Sequence, residues 1–596
     1  MQHGLALVRG PRAEVERRRA ALEQFLAPLR CGWSTRWHGD VALIAWEAAA
    51  GEPPAPEPAN QPLLGAQSAP CNGRFDARRA GKAPALGDRW TWGQQVPAAL
   101  DAPERLLAAS DAQLRELDGS HACFAVAGGS ARLVTGGGGP SGLFAADDGR
   151  VAAWATSATS AALLASGRAA LDVDALGALL AFGALFGERT HVAGVAAVGP
   201  GTRIDLAPGE PPSRAAYWPR DERWAPLPEA DADGAAREAL LATVGAGLQR
   251  EEAPWLALTA GRDSPVLAAA CVLLGRRVPT FTFGQPDWPD VAGARVIAER
   301  MGLEHRHHAL GALPEAGVRA EADRDARWFD GLAGVGPMGP PELPAEMSAM
   351  VTGAGAEVGR AYYYQSVARS RPRPRTRHLV AAMNPAGRLP GAPAAAHTGA
   401  GAALRAWLEE PGVPAGWRAL DALYVEHRVG RWGTARVPRT HPGPVLAPFS
   451  SPPLARALSA LPLDDRLAVG FHRRLVAEVA PEIVLAPMQT QRPGVPAPVR
   501  RVAAAARQRR GAGGARSPSA RSTVAPWPWA GLWHARPALR AWVADDLLAD
   551  PRVPEWLGLE WARALRAGFV ADDALHAERA LLVAGLVLWA RAIEAA

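Results

Sequence analysis

Lysine is almost missing from this chain. Lys82 is the one lysine in 596 residues, so the 65 basic side chains are otherwise arginine, set against 59 acids. The formal net charge is therefore only +6. So close a balance excludes a histone-like electrostatic binder, although a pI near 9.6 permits acidic partners. Cysteine is scarce as well. Cys31, Cys71, Cys123 and Cys271 stand far apart with no C-x-x-C, which excludes a disulfide scaffold and a zinc finger of ordinary spacing. No apolar run of about 18 residues is free of charges or turn residues, so no membrane span or membrane partner is expected. The opening MQHGLALVRGPR lacks the apolar centre of a secretory signal, and the expectation is a soluble cytoplasmic protein.

What is present is the composition of a folded chain, 48% hydrophobic and 21% charged. The length suits about two to four domains, each large enough for its own core. The abundance of Ala, Gly, Pro and Arg reads as GC-rich coding bias, and the 21 tryptophans read as packing residues. No internal repeat is visible.

Up to about residue 210 the pattern is short strands and turns. A helix-like stretch runs from Ala13 to Leu29 and a strand-like one from Val41 to Trp46, before a Pro-rich loop at 51–72. ACFAVAG and ARLVTG, joined by Gly-Gly-Ser, form a hairpin signal at 122–135. GGGGPSG at 136–142 reads as a turn, VAAWATS as a strand, 173–186 as a helix, and VAGVAAV and TRIDL as strands. The Pro- and acid-rich segment 207–232 marks a boundary. From about 233 the period changes. ADGAAREALLATVGAGLQR, SPVLAAACVLLG and VAGARVIAERMG read as helices, and PWLALT, VPTFTFG and EHRHHAL as strands between them. Such alternation implies a parallel sheet that takes ligands at the carboxyl ends of its strands. Beyond 400 the chain is largely helical. The Arg runs RSRPRPRTRH at 369–378 and RQRRGAGGARSPSARS at 507–522 read as solvated loops in preference to acidic-peptide or nucleic-acid contacts.

The strongest local signal is Leu258-Thr259-Ala260-Gly261-Arg262-Asp263-Ser264, between a strand and a helix. Small residues at 259–261 let backbone N–H groups approach a ligand closely, and the helix N-terminus behind them favours an anion. Asp263 beside phosphates calls for a cation, of which Mg²⁺ is the obvious one. The plain alternative is a strand–turn–helix with an Asp/Ser cap. A second segment, Val351-Thr352-Gly353-Ala354-Gly355-Ala356-Glu357, reads either as a strand end carrying a ligating acid or as a Gly/Ala-rich turn. The cluster His305, Arg306, His307, His308 is set aside as a metal site, because adjacent strand positions face opposite ways.

TAGRDS resembles the SGGxDS loop of the N-type ATP pyrophosphatases found in asparagine synthetases, β-lactam synthetase and lasso-peptide cyclases. Thr259 stands for Ser and Ala260 for the first Gly. TFTFG at 280–284, then Asp290, Ala294, Ala298, Gly302 and His305, is similar to that family's second strand and helix. TGAGAE is similar to its S/T-G-x-G-x-D, with Glu357 in place of Asp and Ala354 where amide-forming members often have Glu or Tyr. Tyr424, Arg428, Arg431, Trp432, Pro448-Phe449, Leu461-Pro462, Phe471-His472-Arg473-Arg474-Leu475 and Pro481 resemble its helical C-terminal part. That part usually carries a Lys after the Pro. Here the nearest cation is Arg492, which is not a simple substitute. Cys123-Phe124-Ala125-Val126, GGGGPSGLF, WATSATSAALLA, Thr190 through Gly201, and YWP at 217–219 resemble the glutaminase-type domain. Its nucleophile would be Cys at position 2, where this chain has Gln2, so glutamine hydrolysis is expected to be absent.

The resemblance implies an α/β fold. An N-terminal Ntn-type αββα sandwich (1–215) would precede a parallel-sheet PP-loop synthetase domain of the adenine-nucleotide α-hydrolase type with added helices (233–596). It implies ATP and Mg²⁺ as cofactors. Leu258, Thr259, Ala260, Gly261, Asp263, Ser264, Phe283, Thr352 and Gly353 would bind nucleotide, Asp263 and Glu357 would hold the metal, and Arg492, Asp263 and Glu357 would be catalytic. The implied activity is an ATP-dependent carbon–nitrogen ligase that adenylates a carboxylate and joins it to an amine, foremost macrolactam formation in a precursor peptide. Such an enzyme would work beside a protease and a leader-binding protein. An ammonia-using ligase for a small acid and a non-catalytic nucleotide- or peptide-binding homologue are the alternatives.

Overall fold

The computed structural model describes residues 3–47, 89–93, 103–117, 121–138, 142–286, 288–309, 313–338, 343–344, 346–365, 367–371, 373–383, 394–432, 445–485 and 530–596. Arg492, the Arg run 507–522, Gln2, Cys71 and the Pro-rich stretch 51–72 lie outside them.

Eleven strands build the first part: β1 (His3–Arg9), β2 (Gly32–His38), β3 (Val41–Glu47), β4 (Arg89–Gly93), β5 (His121–Ala127), β6 (Ser130–Thr135), β7 (Phe144–Asp147), β8 (Ala152–Ala155), β9 (Val195–Ala197), β10 (Thr202–Leu206) and β11 (Ser213–Ala216). They form two antiparallel sheets, in the orders β2-β3-β1-β8-β7-β9 and β11-β10-β6-β5-β4. The period of two explains how they stack. Leu5, Leu7, Val41, Leu43 and Ala45 face Phe124, Val126, Leu133 and Ile204 in a core between the sheets. The intervening Ala6, Val8, Ala42, Ile44 and Trp46 face outward onto helices Arg12–Leu26 and Ala158–Ser166. On the far side Cys123, Ala125 and Val134 pack against Leu106 and Leu114 of helices Pro103–Ala108 and Asp111–Arg115. The result is the expected α/β/β/α sandwich. The expected hairpin is β5–β6, turning through Gly128 and Gly129, both at positive φ.

The second part holds a five-stranded sheet of β12 (Pro254–Ala257), β13 (Thr280–Phe283), β14 (His305–His308), β15 (Ala349–Val351) and β16 (Val445–Leu446). Its order is β14-β13-β12-β15-β16 and every pairing is parallel. The order reverses between β12 and β15. That junction is the switch point where open parallel sheets leave a crevice at their carboxyl ends. Leu256, Leu258, Ala349 and Val351 turn one face toward the main helical core, built with helices Glu229–Arg250, Ser264–Leu273 and Pro452–Ala460. The opposite face carries a smaller patch of Trp255, Phe281, Met347, Met350 and Val445.

The structure differs from the sequence reading in several places. β1, β2 and β7 are additional strands in the first sheet, β4 in the second and β16 in the parallel one. β11 lies inside the segment 207–232 that reads as a connection, and pairs with β10. Within the Arg run 369–378 a helix begins at Thr376. The hydrophobic core does not follow the sequence division either. Helices Arg12–Leu26 and Ala158–Ser166 share one cluster with Val318, Ala322 and Ala326 of helix Glu315–Trp328 and with Trp533, Trp561, Val583 and Trp589 near the C-terminus. The late helices thus cover the sandwich. Among the described residues no helix is long and apolar enough to cross a membrane.

Candidate functional site

β12 runs into the loop 258–263, and helix Ser264–Leu273 starts immediately after it, with Pro265 in its first turn. The loop is shaped by its own hydroxyls. Thr259 N–H donates to Ser264 Oγ at 3.0 Å and Gly261 N–H to Thr259 Oγ1 at 3.2 Å. Thr282 Oγ1 on β13 donates to the Leu258 carbonyl. Ala260, the residue in place of the usual glycine, lies on helix Pro289–Arg300 opposite Gly293, where any Cβ would collide with the Ala260 methyl. The Asp290 carboxyl of the same helix takes a backbone hydrogen bond from Ala260. The extra methyl group is therefore accommodated by a glycine across the contact.

Asp263 occupies the N-cap position of helix Ser264–Leu273, yet its side chain makes no capping hydrogen bond. A capping Asp would accept from the first free N–H groups, so the Asp cap of the plain reading is not made. Instead the carboxylate takes Arg360 Nε at 3.0 Å and Nη2 at 2.7 Å in a two-pronged ion pair. His472 Nε2 faces its Oδ1 at 3.5 Å, too far for a good hydrogen bond. Burial pushes the Asp263 carboxyl up, but the facing His472 ring and the Arg360 guanidinium outweigh it and hold the group below the ordinary value.

The second loop arrives from β15, next to β12. Thr352 N–H donates to the Leu446 carbonyl on β16 at 2.9 Å, which fixes the strand end. Gly353 lies so close to the first loop that a Cβ there would stand 3.2 Å from both Asp263 Cβ and Ser264 N. Gly355, at φ 100°, turns the chain into the short 3₁₀ helix Ala356–Arg360. Glu357 Oε1 comes within 3.8 Å of the same Arg360 Nη2 that holds Asp263. Burial, then the Asp263 charge, push the Glu357 carboxyl up, and its buried Oε2 has no hydrogen-bond partner. Tyr424 faces it, and burial with the Glu357 carboxyl drives that phenol far above its usual range.

A buried brace holds the second loop. Arg466 Nη2 bonds Asp421 Oδ1 at 2.7 Å and its Nε donates to the Val358 carbonyl at 3.1 Å. Tyr364 Oη donates to Asp421 Oδ2 at 2.7 Å, and its ring stacks on Trp417 at 5.1 Å.

The two loops expected to bind nucleotide therefore meet at the carboxyl end of the parallel sheet, and the carboxyl groups of Asp263 and Glu357 share one cation. Phe283 does not join them, because it packs with Trp255 and Phe281 on the sheet's other face. Sequence reasoning did not single out Arg360 or His472 for this site. Arg360 had one available signal, its i,i+3 spacing from Glu357, whereas His472 stood out only within the segment 471–475 and not as a site residue. As arranged, the donor set fits a guanidinium and not a divalent ion, since Arg360 engages both oxygens of Asp263. Among the described residues no group of three or more His, Cys, Asp or Glu is disposed to hold a metal. His305 and His307 are instead tied to Thr280 Oγ1 and the Gly284 carbonyl. A separate cleft lies where Phe144, Gly187 and Pro200 of the sandwich meet Arg220, Glu410 and Glu426, away from Asp263.

No family model and no curated protein matches this chain. Among solved structures it is similar to glutamine phosphoribosylpyrophosphate amidotransferase from B. subtilis, solved with ADP and GMP. The two share 11% identity over 60% of this chain and 77% of that one, with a TM-score of 0.20. A superposition that loose fixes neither fold nor activity.

Proposed function

We propose that the chain is an ATP-dependent ligase that adenylates a carboxylate and passes the acyl group to an amine. The observation that carries this reading is the meeting of the 258–264 and 352–357 loops at the switch point of the parallel sheet, with Gly353 seated against Asp263. A carboxylate oxygen attacks the α-phosphorus of ATP, the α–β P–O bond breaks, and pyrophosphate leaves. The amine nitrogen then attacks the acyl carbon, AMP departs with the bridging oxygen, and the amine proton passes to solvent. The N-terminus of helix Ser264–Leu273 would face the departing pyrophosphate, so the chain works mainly by positioning and neutralising charge. Mg²⁺ would come as the counter-ion of ATP and supply charge neutralisation. Asp263 and Glu357 would hold it only once Arg360 had moved.

A peptide whose own amine closes onto a side-chain carboxylate is the favoured substrate, with a small acid and ammonia as the simpler alternative. ATP–pyrophosphate exchange, screened against acids and peptides that include products of neighbouring genes, tests the reading. Exchange with a peptide supports cyclisation. Exchange and amide formation with a small acid and ammonia supports the simpler ligase. Nucleotide binding without exchange on any acid leaves a binding protein.

A further inference from the structure

Within the nucleotide reading just given, we infer that Arg360 is a resident cation, a guanidinium fixed between Asp263 and Glu357 that meets the pyrophosphate portion of a nucleotide in place of a protein-bound metal ion. The 3₁₀ geometry of 356–360 places it there. In such a helix residues i and i+3 lie one above the other, so Glu357 and Arg360 share a face. Gly353 brings Asp263 to the same face. The fork of Arg360 then uses Nε and Nη2 on Asp263, leaving Nη1 for an oxygen of a ligand. A compact ammonium would not satisfy both Asp263 oxygens in this planar way.

The surrounding charge points the same way. Arg262 on the first loop is close enough to Arg360 and to Arg473 that, after burial, those two are the main influences lowering its own basicity. The Asp263 charge is thus already met by the Arg360 guanidinium before any ion is added, and the neighbouring Arg262 adds a cation that favours a polyanion. The whole chain has one lysine, and its cationic work falls to arginine, which keeps its charge at any working pH.

The test uses the full chain and three probes: ADP, inorganic pyrophosphate and Mn²⁺ alone. Calorimetry compares ADP and pyrophosphate binding in EDTA and in Mg²⁺, and electron spin resonance counts Mn²⁺ bound without nucleotide. The wild-type chain is expected to bind both anions in EDTA within about tenfold of its affinity in Mg²⁺, and to leave Mn²⁺ free. Arg360→Gln is expected to lose about tenfold or more in EDTA, with Arg360→Lys in between. Binding that needs Mg²⁺, or stoichiometric Mn²⁺ binding abolished by Asp263→Asn, overturns the resident-cation inference and leaves the nucleotide reading standing. No binding of ADP or pyrophosphate under either condition overturns both. The wild-type comparison requires no variant, so a misfolded Arg360→Gln does not blunt it.

Discussion

At the scale of single residues, Asp263 joins the two loops through charge alone. It has no capping role, and its partners Arg360 and His472 come from distant segments. Asp263→Asn keeps the shape and removes the charge that orders the Arg360 fork. Pyrophosphate release is expected to fall about 100-fold or more, while the circular dichroism spectrum keeps its native shape and the melting temperature drops because Arg360 loses its partner. Retained turnover would remove Asp263 from the site. His305 gives a prediction about stability. Thr280 Oγ1 donates to the Glu304 carbonyl at 2.8 Å, so at 2.9 Å it accepts from His305 Nδ1–H, while the buried Nε2 has no hydrogen-bond partner. Burial, helped by Arg295, His307 and His308, pushes this imidazole down to about 4. The unfolded chain takes up the proton at about 6.5, so it binds more protons than the folded one between those values. The contribution is full above about 6.5 and is lost as pH falls toward 4. The melting temperature of His305→Asn is therefore expected to fall less steeply than that of wild type across this window. Parallel curves would show that the ring is already solvated.

At the scale of elements, the parallel sheet was legible and parts of the sandwich were not, for physical reasons. β12 and β13 are buried apolar runs bounded by turns, and the helices between them carry unbroken apolar spacing. β2 carries Arg36, Ser34 and His38 on a half-buried edge, and β11 is almost wholly exposed. Such strands exist because a neighbour supplies hydrogen bonds, and side-chain patterning does not announce them. The site divides in the same way. Asp263 and Glu357 sit in local loops whose small residues mark them, whereas His472 arrives from a helix more than a hundred residues later. Gly293 belongs to this scale, because its lack of a side chain lets the first loop rest on helix Pro289–Arg300. Gly293→Ala is expected to displace Ala260 and weaken ADP binding about tenfold or more. Ala260→Gly in the same chain is expected to restore binding, since it clears the same space from the other side. A calorimetric double-mutant cycle measures that coupling, and additive losses would show that the two residues do not touch.

At the scale of the whole molecule, the question is whether the sandwich and the helices around it unfold as separate bodies. Asp330 is among the side chains that tie them together. Asp330, at φ 53°, accepts from Ala158 N–H at 2.9 Å, Thr159 N–H at 3.1 Å and Ser157 Oγ at 2.8 Å, so a carboxylate from the second part caps helix Ala158–Ser166 of the first. Its backbone carbonyl bonds His191 Nε2 at 2.7 Å, and Trp589 Nε1 donates to Thr159 Oγ1 at 2.8 Å beside it. The helix start that Asp330 satisfies lies in the same apolar cluster as Trp561 and Trp589, so uncapping it loosens both layers. Asp330→Ala removes a charged cap and also leaves Ser157, Ala158 and Thr159 without an acceptor in a dry junction. The expected cost is about 2–3 kcal/mol, at the upper end for a cap because the donors cannot turn to water. Hydrogen exchange locates that loss. Amides of β1 and β3 in the sandwich and amides of helix Ala574–Glu594 are expected to lose protection together and by similar factors, because their side chains fill one core. Loss confined to the late helix would instead make it a separable cover, and the sandwich would then have a stable core of its own.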